Sequence, residues 1–448
     1  MRLLPGIVLL LLSSLALAAD KVEPDVRDAL AHAEPVRVLV VLADDATQPD
    51  GARRAAIAAR VDATLAALPA ARHALKRRFV RVPALALEVD AVALERLAAL
   101  PHVERIGLDA GGFGAMAQSA PLARVTDAFS AGLDASGAKI AIVDSGLRTT
   151  HADFSGRIIA QQCFCSDLAV GTTGCCPNGQ ETMSGVGSAE DDHGHGTNVS
   201  GIAAGGGAAA LRGAAPAASI VAVKVLDAGN SFCCASDVVA AFDWVLQNHP
   251  DTDVVNASLG TNALFATACD TAQAFTIALA MAVNNLVANG TMVFASSGNN
   301  RSATSITAPA CLTGVVAVGA VWDANLGAVT VLMCTDATTA ADQATCFTNS
   351  NALVDLYAPG ARVTSSGRSG ATATSTFSGT SQATPLASGC ATALRAEFPT
   401  LPLAAIEAAL EASPTTIVDA KSGLSFPRLD CAAAALQLAN AVFADGFE

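Results

Sequence analysis

The apolar positions of this chain fall into two regimes. Between residues 36 and 108, segments 36–42, 79–89 and 103–108 carry strand-like patterns, while 53–68 and 92–100 repeat apolar residues at helical spacing. That alternation predicts a small split βαβ unit, a ferredoxin-like α+β fold over about 35–110. From about residue 120 the apolar runs become short and continuous, at 139–143, 220–226, 253–256, 292–295, 315–319 and 354–357. Continuous apolar strands separated by helical stretches predict an α/β fold, a parallel sheet with helices on both faces. Helical patterns at 381–397, 401–410 and 432–443 complete it, and no internal repeat is present. Polar residues arrive where the strands stop. Asp144 follows the first run, Ser258 and Gly260 the third, and Gly298-Asn299 the fourth. The carboxyl edge of such a sheet is where open α/β proteins bind ligands.

The ends of the chain change this picture. Arg2, an apolar run over 3–12 and the small-residue pattern Ala16-Leu17-Ala18 read as a secretory signal over 1–19. The apolar run is shorter than the roughly 20 residues of a spanning helix. A second uncharged stretch, 271–300, contains Asn284, Asn285, Asn289 and Gly290, and reads as a buried helix turning into a buried strand. The glycine-rich segment 109–119 reads as a flexible link. The expected organisation is a signal at 1–19, a small domain at 20–111 and a large domain at 112–448.

All 12 cysteines lie between Cys163 and Cys431, which fits disulfides in an exported, mature domain. Zinc is the alternative for Cys163-Phe164-Cys165, Cys175-Cys176 and Cys233-Cys234, though their spacing is not that of a zinc ribbon. Pairing nearest neighbours suggests Cys269 with Cys311, Cys334 with Cys346, and Cys390 with Cys431. Charge divides in the same way. Residues 1–111 hold 14 basic and 14 acidic residues, so the net charge of −14 resides in 112–448. An acidic surface repels phosphate backbones and anionic lipid, so neither nucleic acid nor a membrane surface is an expected partner.

Three blocks carry candidate chemistry: Asp144-Ser145-Gly146, His195-Gly196-Thr197, and Gly379-Thr380-Ser381 before Gln382-Ala383-Thr384-Pro385. A serine hydroxyl needs a base to become a nucleophile. A histidine can take its proton near neutral pH and return it to a leaving amine. A carboxylate fixes the tautomer of that histidine and stabilises its cation. On these blocks, in the order Asp, His, Ser, the chain resembles the subtilisin-like serine proteases, the subtilases.

The resemblance implies a secreted serine endopeptidase that cleaves polypeptides through an acyl-enzyme, with Asp144, His195 and Ser381 as its triad. It assigns an oxyanion-binding role to Asn299, within Ser297-Gly298-Asn299-Asn300, alongside the backbone N–H of Ser381. Ser258, Leu259 and Gly260, with Gly298, become substrate-binding residues that pair with an extended peptide. The small domain becomes an inhibitory propeptide, removed by self-cleavage in the link. His193 competes with His195, but only His195 precedes Gly-Thr, and His151 is expected to be a structural neighbour.

Departures from the family pattern are Asn198 and Gln382, where a histidine and a methionine are usual, and a long cysteine-bearing insert between Asp144 and His195. Asp153 matches a calcium position of some members, yet the partner loop 205–210 offers no side-chain oxygen, and Ca²⁺ takes six to eight oxygens. No cofactor is expected for catalysis, and Asp153 is the candidate ligand for a structural calcium. A monomer is expected. A subtilase-like scaffold without turnover and a lipase-like esterase are the alternative readings, the second disfavoured by the triad order.

Overall fold

The computed structural model describes residues 21–32, 35–45, 47–78, 83–108, 116–166 and 174–445. The expected signal 1–19, residues 79–82 of the expected strand 79–89, residues 109–115 of the expected link, and the tail residues 446–448 lie outside them. Internal packing divides the chain into two compact units, 1–112 and 113–448.

In the first unit, strands Val36–Leu42, His73–Arg78, Ala84–Val89 and Val103–Leu108 form one antiparallel sheet. Val36–Leu42 lies between Ala84–Val89 and Val103–Leu108, with His73–Arg78 at one edge. Helices Asp50–Ala66 and Ala91–Ala99 complete a βαββαβ order, preceded by helix Pro24–His32. Alternation explains the packing, since Val38, Val40 and Leu42 point inward to Ile57, Val61, Leu94 and Leu97. The strand His73–Arg78 is an addition to what the apolar pattern predicts. It ends in Lys76-Arg77-Arg78, a basic run that conceals an edge strand.

The second unit is built on an eight-stranded sheet. In chain order its strands are β1 (Lys139–Asp144), β2 (Ile158–Phe164), β3 (Thr182–Ser184), β4 (Ser219–Lys224), β5 (Val254–Ala257), β6 (Met292–Ser296), β7 (Val315–Val321) and β8 (Leu356–Pro359). Across the sheet they run β8-β7-β6-β5-β1-β4-β2-β3, all parallel except the edge pair β2–β3. Both faces are covered, as the continuous apolar runs require. Ile140 and Ile142 enter one core with helices α1 (His195–Ala204) and α4 (Thr380–Glu397). Ala141 and Val143 enter the other core with α2 (Ala235–Asn248) and α3 (Ala274–Ala288). The uncharged stretch 271–300 therefore holds α3 and β6, a helix and then a strand. Among the described residues, no helix is long and apolar enough to cross a membrane.

The expected link extends to Ser119, but Met116–Leu122 is helical. Ser119 is fully buried and donates to the carboxylate of Asp323, so its polar group serves the core rather than a solvated linker. Six disulfides form. Cys269–Cys311, Cys334–Cys346 and Cys390–Cys431 are the expected nearest-neighbour pairs. Cys163–Cys176 and Cys165–Cys175 lie within the insert, and Cys233 joins its neighbour Cys234.

Candidate active site

Strand parity places Asp144 on the same face as Ile140 and Ile142, beneath α1 and α4. It is the last residue of β1 and has no exposed surface. His195 opens α1, and its Nδ1 lies 2.7 Å from Oδ1 of Asp144. The same oxygen accepts the backbone N–H of Ser145 at 2.7 Å. Close approach is possible because residue 196 is glycine. A Cβ there would stand 2.1 Å from the Gly146 carbonyl oxygen and 3.0 Å from Asp144 Oδ1. Burial disfavours the imidazolium of His195. The charge of Asp144, its hydrogen bond and the charge of Asp191 outweigh that burial and hold the pKa above its ordinary value. The ring of Phe377 meets the imidazole edge-on, with centroids 5.9 Å apart.

Asp191 organises this pair, and the sequence motifs did not single it out. Its Oδ1 accepts from Ser145 Oγ at 2.9 Å, His193 N at 3.0 Å and Gly194 N at 2.8 Å. Its Oδ2 accepts from Thr197 N at 2.9 Å and from the Thr197 hydroxyl. One carboxylate thereby ties the residue after Asp144 to the first turn of the helix that carries His195, as anions do at helix N-termini. Lys224 lies beside Asp144 in the sheet register, fully buried. Its ammonium is satisfied by the carbonyls of Ser145 and Leu226 and by Asp192, at 3.0, 2.7 and 2.6 Å. His193 stays in the loop, where its Nδ1 accepts from His195 N at 3.3 Å. His151 is buried and bonds the Ala373 carbonyl and the Asp153 N–H, a structural arrangement.

Ser381 sits in the first turn of α4. Its carbonyl would normally accept from the N–H four residues on, but that residue is Pro385, which has none. Ser258 Oγ takes the place at 2.9 Å, and Ser381 Oγ donates back to the Ser258 carbonyl at 3.0 Å. The hydroxyl thus points to the strand end rather than to His195. Ser258 is held in turn by Asn256 Nδ2 at 3.0 Å, and Asn256 by Ser388 Oγ at 3.0 Å. This buried polar chain was not read from sequence. Its one visible signal is an asparagine inside an otherwise apolar strand.

Asn299 Oδ1 accepts from Thr380 N at 2.9 Å and Thr380 Oγ1 at 3.1 Å, which turns its amide nitrogen outward. A Cβ built on Gly379 would lie 3.2 Å from that nitrogen and 3.5 Å from Ser381 N. Both nitrogens therefore lie within 3.5 Å of one point beside Gly379. Ser258, Leu259, Gly260, Asn299 and Ser381 line one cleft of about 520 Å³. Gly298 is buried behind it, its N–H given to Thr380 Oγ1 at 3.2 Å and its carbonyl accepting from Asn349 N at 2.8 Å. The two family departures meet each other, with Gln382 Nε2 3.4 Å from Asn198 Oδ1.

Asp153 is a poor fit to a cation. Its carboxylate accepts from Ala209 N at 2.8 Å, Ala210 N at 3.1 Å and Ser366 Oγ at 2.7 Å. Donors thus occupy the lone pairs that calcium would need. Among the described residues, Asp355, Glu407 and Glu411 bring one carboxylate oxygen each within 4.8 Å of one another, a set able to offer oxygens to a hard cation.

The profile of the subtilase family matches residues 135–426. An extracellular serine proteinase of Thermus sp. (strain Rt41A) is 32% identical over 288 residues, which cover 64% of this chain and 58% of that protein. An alkaline protease of Shouchella clausii is 32% identical over 330 residues, 72% of each chain. Among solved structures, a cold adapted subtilisin-like serine proteinase aligns with a TM-score of 0.50 at 25% identity, over 66% of this chain and 90% of the other. Matched in sequence over both the sheet and the cleft, and in fold to a solved relative, the chain belongs to the subtilase family.

Proposed function

We propose that this chain is a secreted serine endopeptidase, made as a precursor and activated by its own cleavage between the two units. The observation that carries the reading is the buried 2.7 Å bond between His195 Nδ1 and Asp144, on the same sheet edge as a cleft containing Ser381 and Asn299. With Nδ1–H held by Asp144, Nε2 is left to accept a proton. A bound polypeptide pairs with the strand end at Ser258, Leu259 and Gly260, and the Ser381 hydroxyl exchanges the Ser258 carbonyl for Nε2 of His195. Attack on the scissile carbonyl generates an oxyanion, which Asn299 Nδ2 and Ser381 N stabilise. His195 returns the proton to the leaving amine, and water then resolves the acyl-enzyme by the same base. No step requires a metal or other cofactor.

Secretion is supported by the signal pattern, by six disulfides and by the extracellular relative from Thermus. The βαββαβ unit is assigned as intramolecular inhibitor and folding aid. The mature domain acts as a monomer on polypeptides, its acidic surface disfavouring nucleic acid.

Wild type and Ser381→Ala, each expressed as the full chain and followed on a gel, test this reading. Wild type should lose a piece of about 10 kDa, the size of a small domain, and Ser381→Ala should retain it. Equal processing of both proteins would refute self-cleavage.

A further inference from the structure

Asn299 stands on a loop rather than on the sheet, so its amide needs a fixed support. β6 ends at Ser296, and the chain then turns through two left-handed positions, Gly298 at φ +105° and Arg301 at φ +65°. Left-handed backbone at a residue other than glycine persists only where its surroundings over-determine it. Here one residue far along the chain does so. Asn349, between β7 and β8, has no exposed surface.

Six hydrogen bonds join Asn349 to this loop. Its Oδ1 accepts from Asn300 N at 2.9 Å and from Ser302 N at 3.1 Å. Its Nδ2 donates to the Ser297 carbonyl at 3.1 Å and to Asn300 Oδ1 at 3.0 Å. Its backbone N–H donates to the Gly298 carbonyl at 2.8 Å, and its own carbonyl accepts from Ser297 Oγ at 3.0 Å. The bonds fall on both sides of Asn299. Glycine at 298 admits this partner, because a Cβ there would collide with Asn349 Nδ2.

Asn349 is itself anchored to rigid elements. Thr348 Oγ1 accepts from Ala320 N at 3.1 Å and Thr345 N donates to the Ala320 carbonyl at 3.0 Å, which fastens the segment to β7. Cys346 is bridged to Cys334, and its N–H donates to Asp336 at 2.9 Å. The Phe347 carbonyl accepts from Arg301 N at 3.0 Å, which holds the left-handed residue of the loop directly. With no exposed surface, Asn349 can act on the reaction only through that loop.

We propose that Asn349 is a positioning residue that aims the Asn299 amide at the oxyanion. The inference rests on the peptidase reading of the site. Thr380 orients the Asn299 side chain, and Asn349 fixes the backbone on either side of it. An oxyanion donor works by already standing where charge will develop, and a misplacement of about 1 Å can cost roughly 10²-fold. The strand end at 258–260 belongs to another element, so substrate binding is spared and the effect falls on kcat.

Five forms of the full chain test this: wild type, Asn349→Ala, Asn299→Ala, Asn299→Ala/Asn349→Ala and Ser297→Ala, the last also made with Asn299→Ala. A variant too slow to process itself is cut by a trace of wild type, and Ser381→Ala treated identically sets the background. A chromogenic tetrapeptide anilide reports kcat and KM, and thermal unfolding confirms that each form is folded at the assay temperature.

Asn349→Ala should lower kcat by roughly 10- to 100-fold with KM within about twofold of wild type. In the Asn299→Ala background the same change should lower kcat by less than about threefold, because no amide remains to be aimed. Ser297→Ala removes one bond of the six and should repeat the pattern at a few-fold. An unchanged kcat in folded Asn349→Ala overturns the inference, and so does a loss carried by KM. A loss of equal size in both backgrounds also overturns it, since that is the mark of a merely structural role. If Asn349→Ala does not fold, Ser297→Ala with and without Asn299→Ala decides by the same criteria. Wild type inert toward the peptide would refute the peptidase reading itself, whereas active wild type with an additive cycle refutes this inference alone.

Discussion

Replacing Asp355 with asparagine should stabilise the large unit at alkaline pH and leave it unchanged in acid. Asp355 precedes β8 and accepts the Ala317 N–H at 2.7 Å, while Glu407 and Glu411 approach it from helix α5 (Leu403–Glu411). Burial, opposed by the Ala317 hydrogen bond and reinforced by the two glutamates, raises its pKa from 3.8 to about 7. Between those two values the folded chain holds a proton that the unfolded chain has lost. Stability therefore falls as pH rises through that window and levels off above about 7. The full rise corresponds to a ceiling of about 4 kcal/mol. Asp355 is only half-buried and solvent screens the glutamates, which brings the cost to about 2–3 kcal/mol. Asparagine keeps an acceptor for Ala317 but forfeits about 1 kcal/mol of charge assistance, for a net gain of about 1–2 kcal/mol. The assay is thermal unfolding of Asp355→Asn in a Ser381→Ala background, with chelator present, at pH 8 and pH 4. The melting midpoint should rise by about 2–4 °C at pH 8, with no rise at pH 4. A lower midpoint at pH 8, or an equal rise at both pH values, would refute the electrostatic reasoning.

Other expectations concern the site and its bracing. Because the pKa of His195 is raised above 6.5, the acid limb of kcat/KM should fall above pH 6.5, activity increasing as the imidazole loses its proton. Asp191→Asn should move that limb to lower pH, and an unmoved limb in pH-rate profiles would exclude Asp191 from tuning the base. Asn299→Ala should lower kcat more than it raises KM. In subtilisin itself, loss of the oxyanion-hole asparagine costs roughly 10²–10³ in kcat, which sets the scale for this comparison by steady-state kinetics. Cys390→Ser/Cys431→Ser removes a bridge spanning 41 residues from α4 to the last helix, and should cost about 2–4 kcal/mol in denaturant unfolding.

Much of the sheet was legible because its strands are buried on both faces and so read as continuous apolar runs. The runs at 139–143 and 292–295 fall within a residue of β1 and β6, and the three bridges joining nearest cysteines formed as expected. What sequence concealed were features set by partners distant in the chain. The edge strand His73–Arg78 has no apolar face to betray it. Asp191 is one of several acidic residues before His195, and only the fold reveals that five donors converge on it. Pro385 falls in the first turns of its helix, where proline is best tolerated, and only the fold matches its missing N–H to the Ser258 hydroxyl that replaces it. Asn198 and Gln382 look like two unrelated departures in sequence, yet they are neighbours in space.

The measurement that bears most directly on the central claim is the mass of the adduct formed with a serine-directed fluorophosphonate. Wild type should carry one adduct, mapped to Ser381. Ser381→Ala should carry none, and His195→Ala should label at least a hundredfold more slowly, since the base contributes about 10²–10⁴. An adduct on any other serine, or labelling of His195→Ala at the wild-type rate, would contradict the triad.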